Sequence, residues 1–269
     1  MKVGCLGPEG SYSCVAAKIL SPEAEVTPYI NFPAVVKALE TGEADEIVLP
    51  IENTIQGGVV QNMDLLAAAE GLVAVKEYAL PIEHRFVTKA GVSFSQVKRV
   101  YSHPQAIGQC AAFLSKNLPN AIPMPANSTA DGLAMLKEKE DACIIGAHLA
   151  KSLDTQKYFV YPENIADEKR DFTHFVLVKK GIEHLQQTSS RVYFVAELAH
   201  RPGSLYQLLE RINRHGLNMT KIESRPVKDR LGEYRFFIEI EGDYLSERVK
   251  EALKDLRENC GRLKVLGCY

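Results

Sequence analysis

A threonine stands inside an apolar run, Phe172 to Val178, within the stretch Asp171-Phe172-Thr173-His174-Phe175. A hydroxyl in such a run either bonds to buried backbone or faces a cleft, where it can donate a hydrogen bond to a ligand. Four other stretches carry groups of the same kind: Gly7 to Ser13, Pro50 to Thr54 with Gly57-Gly58 beyond, Ser102 to Gln105 with Gln109 beyond, and Asn127 to Thr129. Each follows a strand-like run and none contains Lys or Arg. A pocket of amides, hydroxyls and helix N-terminal N–H groups suits a small carboxylate. It does not suit ATP, because no G-x-x-x-x-G-K-[ST] is present.

Each stretch also has a plain structural reading. Ser102 and Gln105 have the spacing of a capping box, with Ser102 as N-cap. Asn127 reads as the cap that opens the next helix. Gly57-Gly58 lets backbone approach closely, and Glu52 is either a general acid or a turn residue. His103 reads as a first-turn residue, and His84, His148, His184, His200 and His215 as surface or core.

The elements that must position these groups are legible in outline. Residues 2–6 read as a buried strand, 12–20 as a helix and 26–29 as a second strand. Asn31 caps a helix with Pro33 in its first turn and Gly42 at its end. A buried strand runs from Glu46 to Pro50, with Ile51 to Gly58 as its loop, then a helix from Val59 to Ala69. Strands follow at 72–79 and 84–88. A second series has a strand at 97–101, a helix from His103 to Leu114, a strand at 122–125, a helix ending near Glu138 and a strand at 142–145. Alternating β and α units predict an α/β fold with mostly parallel sheets. The return to an apolar strand at Phe172–Val178 predicts two lobes around a cleft, residues 1–180.

From Ser190 the order changes to βαββαβ, the ferredoxin-like arrangement, over residues 190–269. Its strands read as 191–197, 219–227, 234–240 and 263–266, with a polar turn at Asp229 to Gly232. A helix opens at Arg201-Pro202-Gly203-Ser204-Leu205-Tyr206, and Glu223-Ser224-Arg225-Pro226 ends a strand. Together they can form an amino-acid site, with helix N–H groups on the carboxylate and Leu205 or Tyr206 against the side chain.

Composition bounds the rest. With 269 residues, 46% hydrophobic and 25% charged, the chain has the make-up of a globular protein with a real core. A net charge of −2 argues against a nucleic-acid or anionic-membrane surface. No apolar run is long enough for a membrane helix, and the first residues read as a strand rather than a signal peptide, so a cytoplasmic chain is expected. The six cysteines make no C-x-x-C pair, and no metal or other cofactor is expected.

These stretches together resemble the prephenate dehydratase family with a C-terminal ACT regulatory domain, over essentially the whole length. The matches are Gly7-Pro8-Glu9-Gly10-Ser11-Tyr12-Ser13, Pro50-Ile51-Glu52-Asn53-Thr54 with Gly57, Ser102-His103-Pro104-Gln105 with Gln109-Cys110, and Asn127-Ser128-Thr129-Ala130. In the second unit they are Pro202-Gly203-Ser204-Leu205-Tyr206 and Asn218-Met219-Thr220-Lys221-Ile222-Glu223-Ser224-Arg225-Pro226. The resemblance implies a two-lobed, periplasmic-binding-protein-like catalytic domain that turns prephenate into phenylpyruvate, carbon dioxide and water. It implies Thr173 as the hydrogen-bond donor to the departing oxygen, with Ser11, Asn53, Ser102, Gln109 and Asn127 positioning the substrate. It also implies feedback by phenylalanine at Gly203, Ser204, Leu205, Tyr206, Asn218, Met219, Glu223, Ser224, Arg225 and Pro226, in a homodimer or homotetramer. One departure stands out: the family's Asn-x-Thr-Arg-Phe reads Asp171-Phe172-Thr173-His174-Phe175 here. Both changes make the site less cationic. Competing expectations are a related decarboxylase or lyase acting on a prephenate-like acid, and a non-catalytic sensor of an aromatic acid.

Overall fold

The structure is a computed structural model that describes residues 1–136, 141–227 and 233–269. The first lobe begins with β1 (Lys2–Leu6), α1 (Tyr12–Leu20), β2 (Glu25–Tyr29), α2 (Phe32–Thr41) and β3 (Glu46–Asn53). It continues with β4 (Gly57–Gly58), α3 (Val60–Ala68) and β5 (Leu72–Pro81). Local chemistry explains the boundaries. Asn31 caps α2 through the Ala34 N–H, and Gly42 ends it in the left-handed conformation. Ser11 caps α1 through the Cys14 N–H.

At Pro81 the chain crosses to a second lobe. Its elements are β6 (His84–Lys89), β7 (Arg99–Ser102), α4 (Pro104–Gln109), α5 (Ala111–Asn117) and β8 (Ile122–Pro125). Then come α6 (Thr129–Met135), β9 (Asp141–Gly146), α7 (Ala147–Ala150) and β10 (Tyr158–Val160). These strands form a separate sheet in the order β10-β6-β9-β7-β8. The chain then returns to the first lobe as β11 (Phe172–Lys180), inserted between β3 and β5. The last unit is β12 (Arg191–Leu198), α8 (Ser204–Arg214), β13 (Met219–Pro226), β14 (Tyr234–Glu241), α9 (Glu247–Asn259) and β15 (Arg262–Cys268).

Several sequence expectations need correction. The sheets are mixed rather than mostly parallel: β11 runs antiparallel to both neighbours, and so does β6 between β10 and β9. Strand direction depends on partners far away in sequence, which local alternation does not encode. Ser102 is not an N-cap. It is the last residue of β7, paired with Pro125, and His103 caps α4 with its ring Nδ1. The expected helix from His103 to Leu114 breaks at Cys110 into α4 and α5. Ser128, not Asn127, caps α6. The polar end of β3 continues through Asn53, because β11 supplies a partner there. The expected helix end near Glu138 and the polar turn at Asp229 to Gly232 lie outside the described residues.

The C-terminal unit shares the first lobe's sheet. One sheet runs β13-β14-β12-β15-β5-β11-β3-β1-β2. The join is between β15 and β5, where Gly267 lies opposite Ala74. A Cβ at Gly267 would sit 2.5 Å from the Ala74 side chain and carbonyl, so only glycine permits this approach. The core follows the sheet. One cluster joins Val3, Cys5, Val73 and Phe175 to Val192, Phe194 and Val265. Another joins Ile47, Leu49, Leu66 and Val176 to Tyr193, Phe237 and Leu266.

Candidate active site

Thr173 lies opposite Asn53 on β3 and Leu80 on β5. Its side chain opens on a cleft of about 140 Å³ between the lobes, also lined by Asn53, Gln109, Asp171 and His84. His174 points the other way, its ring Nδ1 3.9 Å from Glu77. That follows from strand geometry, in which neighbours take opposite faces.

A hydrogen-bond network holds the cleft wall. The Asn53 amide nitrogen donates to Asp171 Oδ1 at 2.6 Å, to Thr173 Oγ1 at 3.1 Å and to the Phe172 carbonyl at 3.3 Å. Its amide oxygen accepts from the N–H groups of Ile55 and Gln56, which fixes the turn after β3. Asp171 is only 3% exposed. Its second oxygen accepts from Gln109 Nε2 at 3.2 Å. With that amide end turned to the carboxylate, Gln109 Oε1 faces His84 Nε2 at 3.0 Å and must accept from it. His84 therefore carries its proton on Nε2 and leaves Nδ1 bare and buried, with no partner among the described residues. Burial holds the His84 imidazole below its usual range, opposed by the Gln109 bond and the Asp171 charge.

The direction of these bonds has a chemical consequence. Thr173 Oγ1 accepts from Asn53, so its own hydrogen is free to point into the cleft. On the facing lobe, the first turns of α4 and α6 reach the cleft through His103, Gln105 and Thr129. Helix starts favour anions. Among the described residues, no Lys or Arg lines the cleft. Tyr12 closes one end: its hydroxyl donates to the Glu83 carbonyl and accepts from the Glu83 N–H at 3.1 Å. Its ring packs edge-on against His84 and His148.

Of the residues read from the sequence, the fold brings Thr173, Asn53 and Gln109 together. The others are placed differently. The Ser102 hydroxyl is fully buried and donates to the Ile144 carbonyl at 2.8 Å. The Ser11 hydroxyl donates to the Leu6 carbonyl while capping α1. Asn127 is exposed, and it does not line the cleft. Sequence reading missed Tyr12 and His84. Tyr12 sits inside a motif already noted, and His84 opens a strand after a proline, the one available hint of an inward polar group.

In the C-terminal unit, Gly203 opens α8 with a positive φ of 84°, and Tyr206 on that helix is 69% exposed. Leu205 packs on the core. The other motif lies on β13, separated from β12 by β14. Alternate residues of β13 face the first lobe. Lys221 Nζ donates to Glu52 Oε2 at 2.8 Å, and Arg225 pairs with Asp64 at 3.4 Å. Glu223 lies against Gly58, where an added Cβ would sit 3.6 Å from its carboxyl carbon. Ser224 and Pro226 are exposed, while Asn218 donates to Glu241. Met219 packs on the core.

The fold and site define a two-lobed α/β protein with an amide-lined cleft and a ferredoxin-like unit fused to one lobe. A family profile for prephenate dehydratase matches residues 3–183, and one for the ACT domain matches residues 192–258. The chain is 36% identical over 271 residues to a bifunctional chorismate mutase/prephenate dehydratase of Aquifex aeolicus, covering 100% of this chain and 73% of the relative. It is 31% identical over 271 residues to a prephenate dehydratase of Amycolatopsis methanolica, covering 100% and 88%. The fold matches the crystal structure of prephenate dehydratase from Arthrobacter aurescens in complex with L-Phe with a TM-score of 0.90 at 30% identity, covering 100% and 90%. The chain belongs to the prephenate dehydratase family and carries an ACT domain after its catalytic region.

Proposed function

We propose that this chain is a prephenate dehydratase regulated by phenylalanine. The observation that carries the reading is the Asn53–Thr173 bond, in which Thr173 accepts, so that its own hydrogen is free to serve a ligand in a cleft flanked by two helix starts. Prephenate carries two carboxylates and a ring hydroxyl. The electrons of the bond to the ring carboxylate move into the ring as carbon dioxide leaves, and the ring expels the hydroxyl as hydroxide, which takes up a proton from solvent to become water. Aromatisation drives both losses. The protein binds the anions, holds the ring and stabilises the departing oxygen, and Thr173 does the last of these as a hydrogen-bond donor on the cleft wall. Asn53 and Gln109 position substrate and wall, and Gln105 and Thr129 meet a carboxylate. Ser11 and Ser102 act on the framework instead, and Asn127 lies outside the cleft.

The effector reading rests on the ACT domain and on the relative crystallised with L-Phe. Gly203–Tyr206 and Asn218–Pro226 stand on separate elements, so a second copy of the chain completes the effector pocket. The exposed Tyr206, Ile222 and Tyr234 support a homo-oligomer. Six cysteines without a disulfide support the reducing cytoplasm as its compartment. No described helix is long and apolar enough to cross a membrane.

One observation favours a second reading. Asp171 places a carboxylate in the wall of an anion site where, among the described residues, no Lys or Arg stands, which suits a lyase with a different proton path. Product analysis separates the two. The protein is incubated with prephenate, and phenylpyruvate is followed by its enol absorbance, with and without L-phenylalanine. Phenylpyruvate formation suppressed by phenylalanine is expected. A different product would establish the lyase, and binding without a product the sensor.

A further inference from the structure

Two thiols face each other beneath the first loop. Cys5 lies on β1 and Cys14 in the first turn of α1, nine positions apart, with their Sγ atoms at 3.4 Å. Both are buried and free. Cys14 Sγ is also 3.4 Å from Ser11 Oγ and 3.5 Å from the Pro8 carbonyl. The bond from Cys5 holds the Cys14 thiol below its usual range, aided by Ser11 and opposed by burial, and the same contact pushes Cys5 up. Burial pushes the thiols of Cys110, Cys143, Cys260 and Cys268 up as well.

Cys14 is the member of the pair that borders a cavity, and Cys5 lies fully buried behind it. Cys14 lines a cavity of about 690 Å³ together with Lys18 and His148. This cavity shares no lining residue with the cleft at Thr173. It is far larger than a water molecule's share of liquid volume, roughly 30 Å³. A small oxidant can therefore meet the sulfur without entering the cleft.

We propose that Cys5 and Cys14 form a redox dithiol that a hydroperoxide converts to an intramolecular disulfide. The Cys14 thiolate attacks the peroxide's outer oxygen. The S–O bond forms, the O–O bond breaks, and the alcohol leaves with the proton that Cys14 gave up. Cys14 is then a sulfenic acid, oxidised by two electrons. Cys5 attacks that sulfur, the S–S bond forms, the S–O bond breaks, and hydroxide leaves with the Cys5 proton as water. Two thiols and one hydroperoxide give one disulfide, one alcohol and one water. The sulfurs must close from 3.4 Å to about 2.05 Å, a small movement within one βα unit. The bond would tie the loop Gly7 to Ser13 at its neck, next to the Tyr12 that lines the cleft.

The test is a peptide map of the full chain, and it does not depend on the catalytic reading. The protein is exposed to hydrogen peroxide, quenched with catalase, denatured, alkylated with N-ethylmaleimide and digested for mass spectrometry. Two of the six thiols should escape alkylation, and a peptide joining Cys5 to Cys14, lighter by two hydrogens, should appear. Dithiothreitol should return both thiols. Cys5→Ala should halt at a sulfenic acid on Cys14 that dimedone traps. Because that substitution alters a packed core, the parent's map decides alone if the variant does not fold. Six alkylated thiols after peroxide would overturn the proposal. So would a sulfinic acid on Cys14 with Cys5 still alkylated, or a cross-link to any other cysteine.

Discussion

Asn53 donates to Thr173 Oγ1, and that bond leaves the threonine's own hydrogen available to another acceptor. Removing the hydroxyl should therefore remove a donor that works mainly in the transition state. Thr173→Ala is expected to lower kcat by about 10²–10³, roughly 2.7–4 kcal/mol of barrier, with KM little changed. A kcat within about two-fold of the parent would take Thr173 out of the chemistry. His84 gives a second prediction, in stability. Its folded pKa is lowered, chiefly by burial, so below the unfolded value near 6.5 the unfolded chain binds a proton that the folded one refuses. Stability should rise with pH through that window and be lost as pH falls below about 6.5. Thermal midpoints of the parent and His84→Gln, measured between about pH 5 and 8, should converge at the acid end as the variant sheds this penalty. Parallel curves would show that His84 takes up its proton freely in the fold. At this scale the sequence was legible where a residue sits in a motif with a chemical reason, as Thr173, Asn53 and Gln109 do. His84 was not, because it meets Gln109 only after two segments of the second lobe fold together. Ser102 misled for a local reason: its hydroxyl fits a cap, but the buried Ile144 carbonyl takes it instead.

Two strands, β13 and β3, link the proposed effector motif to the cleft. β13 grips the end of β3 through Lys221 and Glu52, and Glu52 immediately precedes Asn53. Lys221 is the buried partner, its side chain 9% exposed, while that of Glu52 is 37% exposed. Breaking such a pair leaves a charge short of its partner, and the exposure of Glu52 limits the cost. If effector binding shifts β13, its contacts with Glu52, Asp64 and Gly58 all feel it, and Glu52 is the one next to Asn53. Couplings between sites are typically about 1–3 kcal/mol, or roughly 5–150-fold in affinity. Lys221→Met should raise the half-inhibitory concentration of L-phenylalanine by about 5-fold or more, with turnover in its absence changed by less than about 2-fold. An unchanged inhibition curve would show that the signal travels by another contact. Helices with a cap and a stop, such as α2, were readable almost to the residue, because both signals are local. The end of β3 was not, because its polar residues become a strand only once β11 lies beside them.

For the molecule as a whole, the question is whether the C-terminal unit is a detachable module. Its βαββαβ order was legible, and the expectation from sequence is that deleting residues 190–269 leaves a catalytic region, at some cost in stability, that phenylalanine does not inhibit. The join between β15 and β5 points to the size of that cost, and no periodicity could have announced it, since Gly267 and Ala74 lie far apart in the chain. Deletion would strip β5 of a neighbour and create a free sheet edge, a site for pairing with other chains. It would also uncover Val73, Leu66 and Leu72, which now share clusters with Val192, Phe194, Tyr193 and Leu266. Each large apolar side chain returned to water costs roughly 1.5–3 kcal/mol, against a typical total stability of about 5–15 kcal/mol. Lys264 adds a tie that deletion removes, because its ammonium donates to the carbonyls of Leu66, Ala67 and Ala69 at the end of α3. The 1–189 fragment should therefore be aggregation-prone, and any soluble fraction should melt well below the full chain. The measurement is solubility and thermal midpoint of fragment and parent, with turnover of prephenate per folded molecule. A soluble fragment with the parent's midpoint and turnover would mean that the shared sheet adds nothing to the first lobe. Loss of stability with turnover per folded molecule preserved would mean that the unit supports the catalytic lobes without taking part in their chemistry.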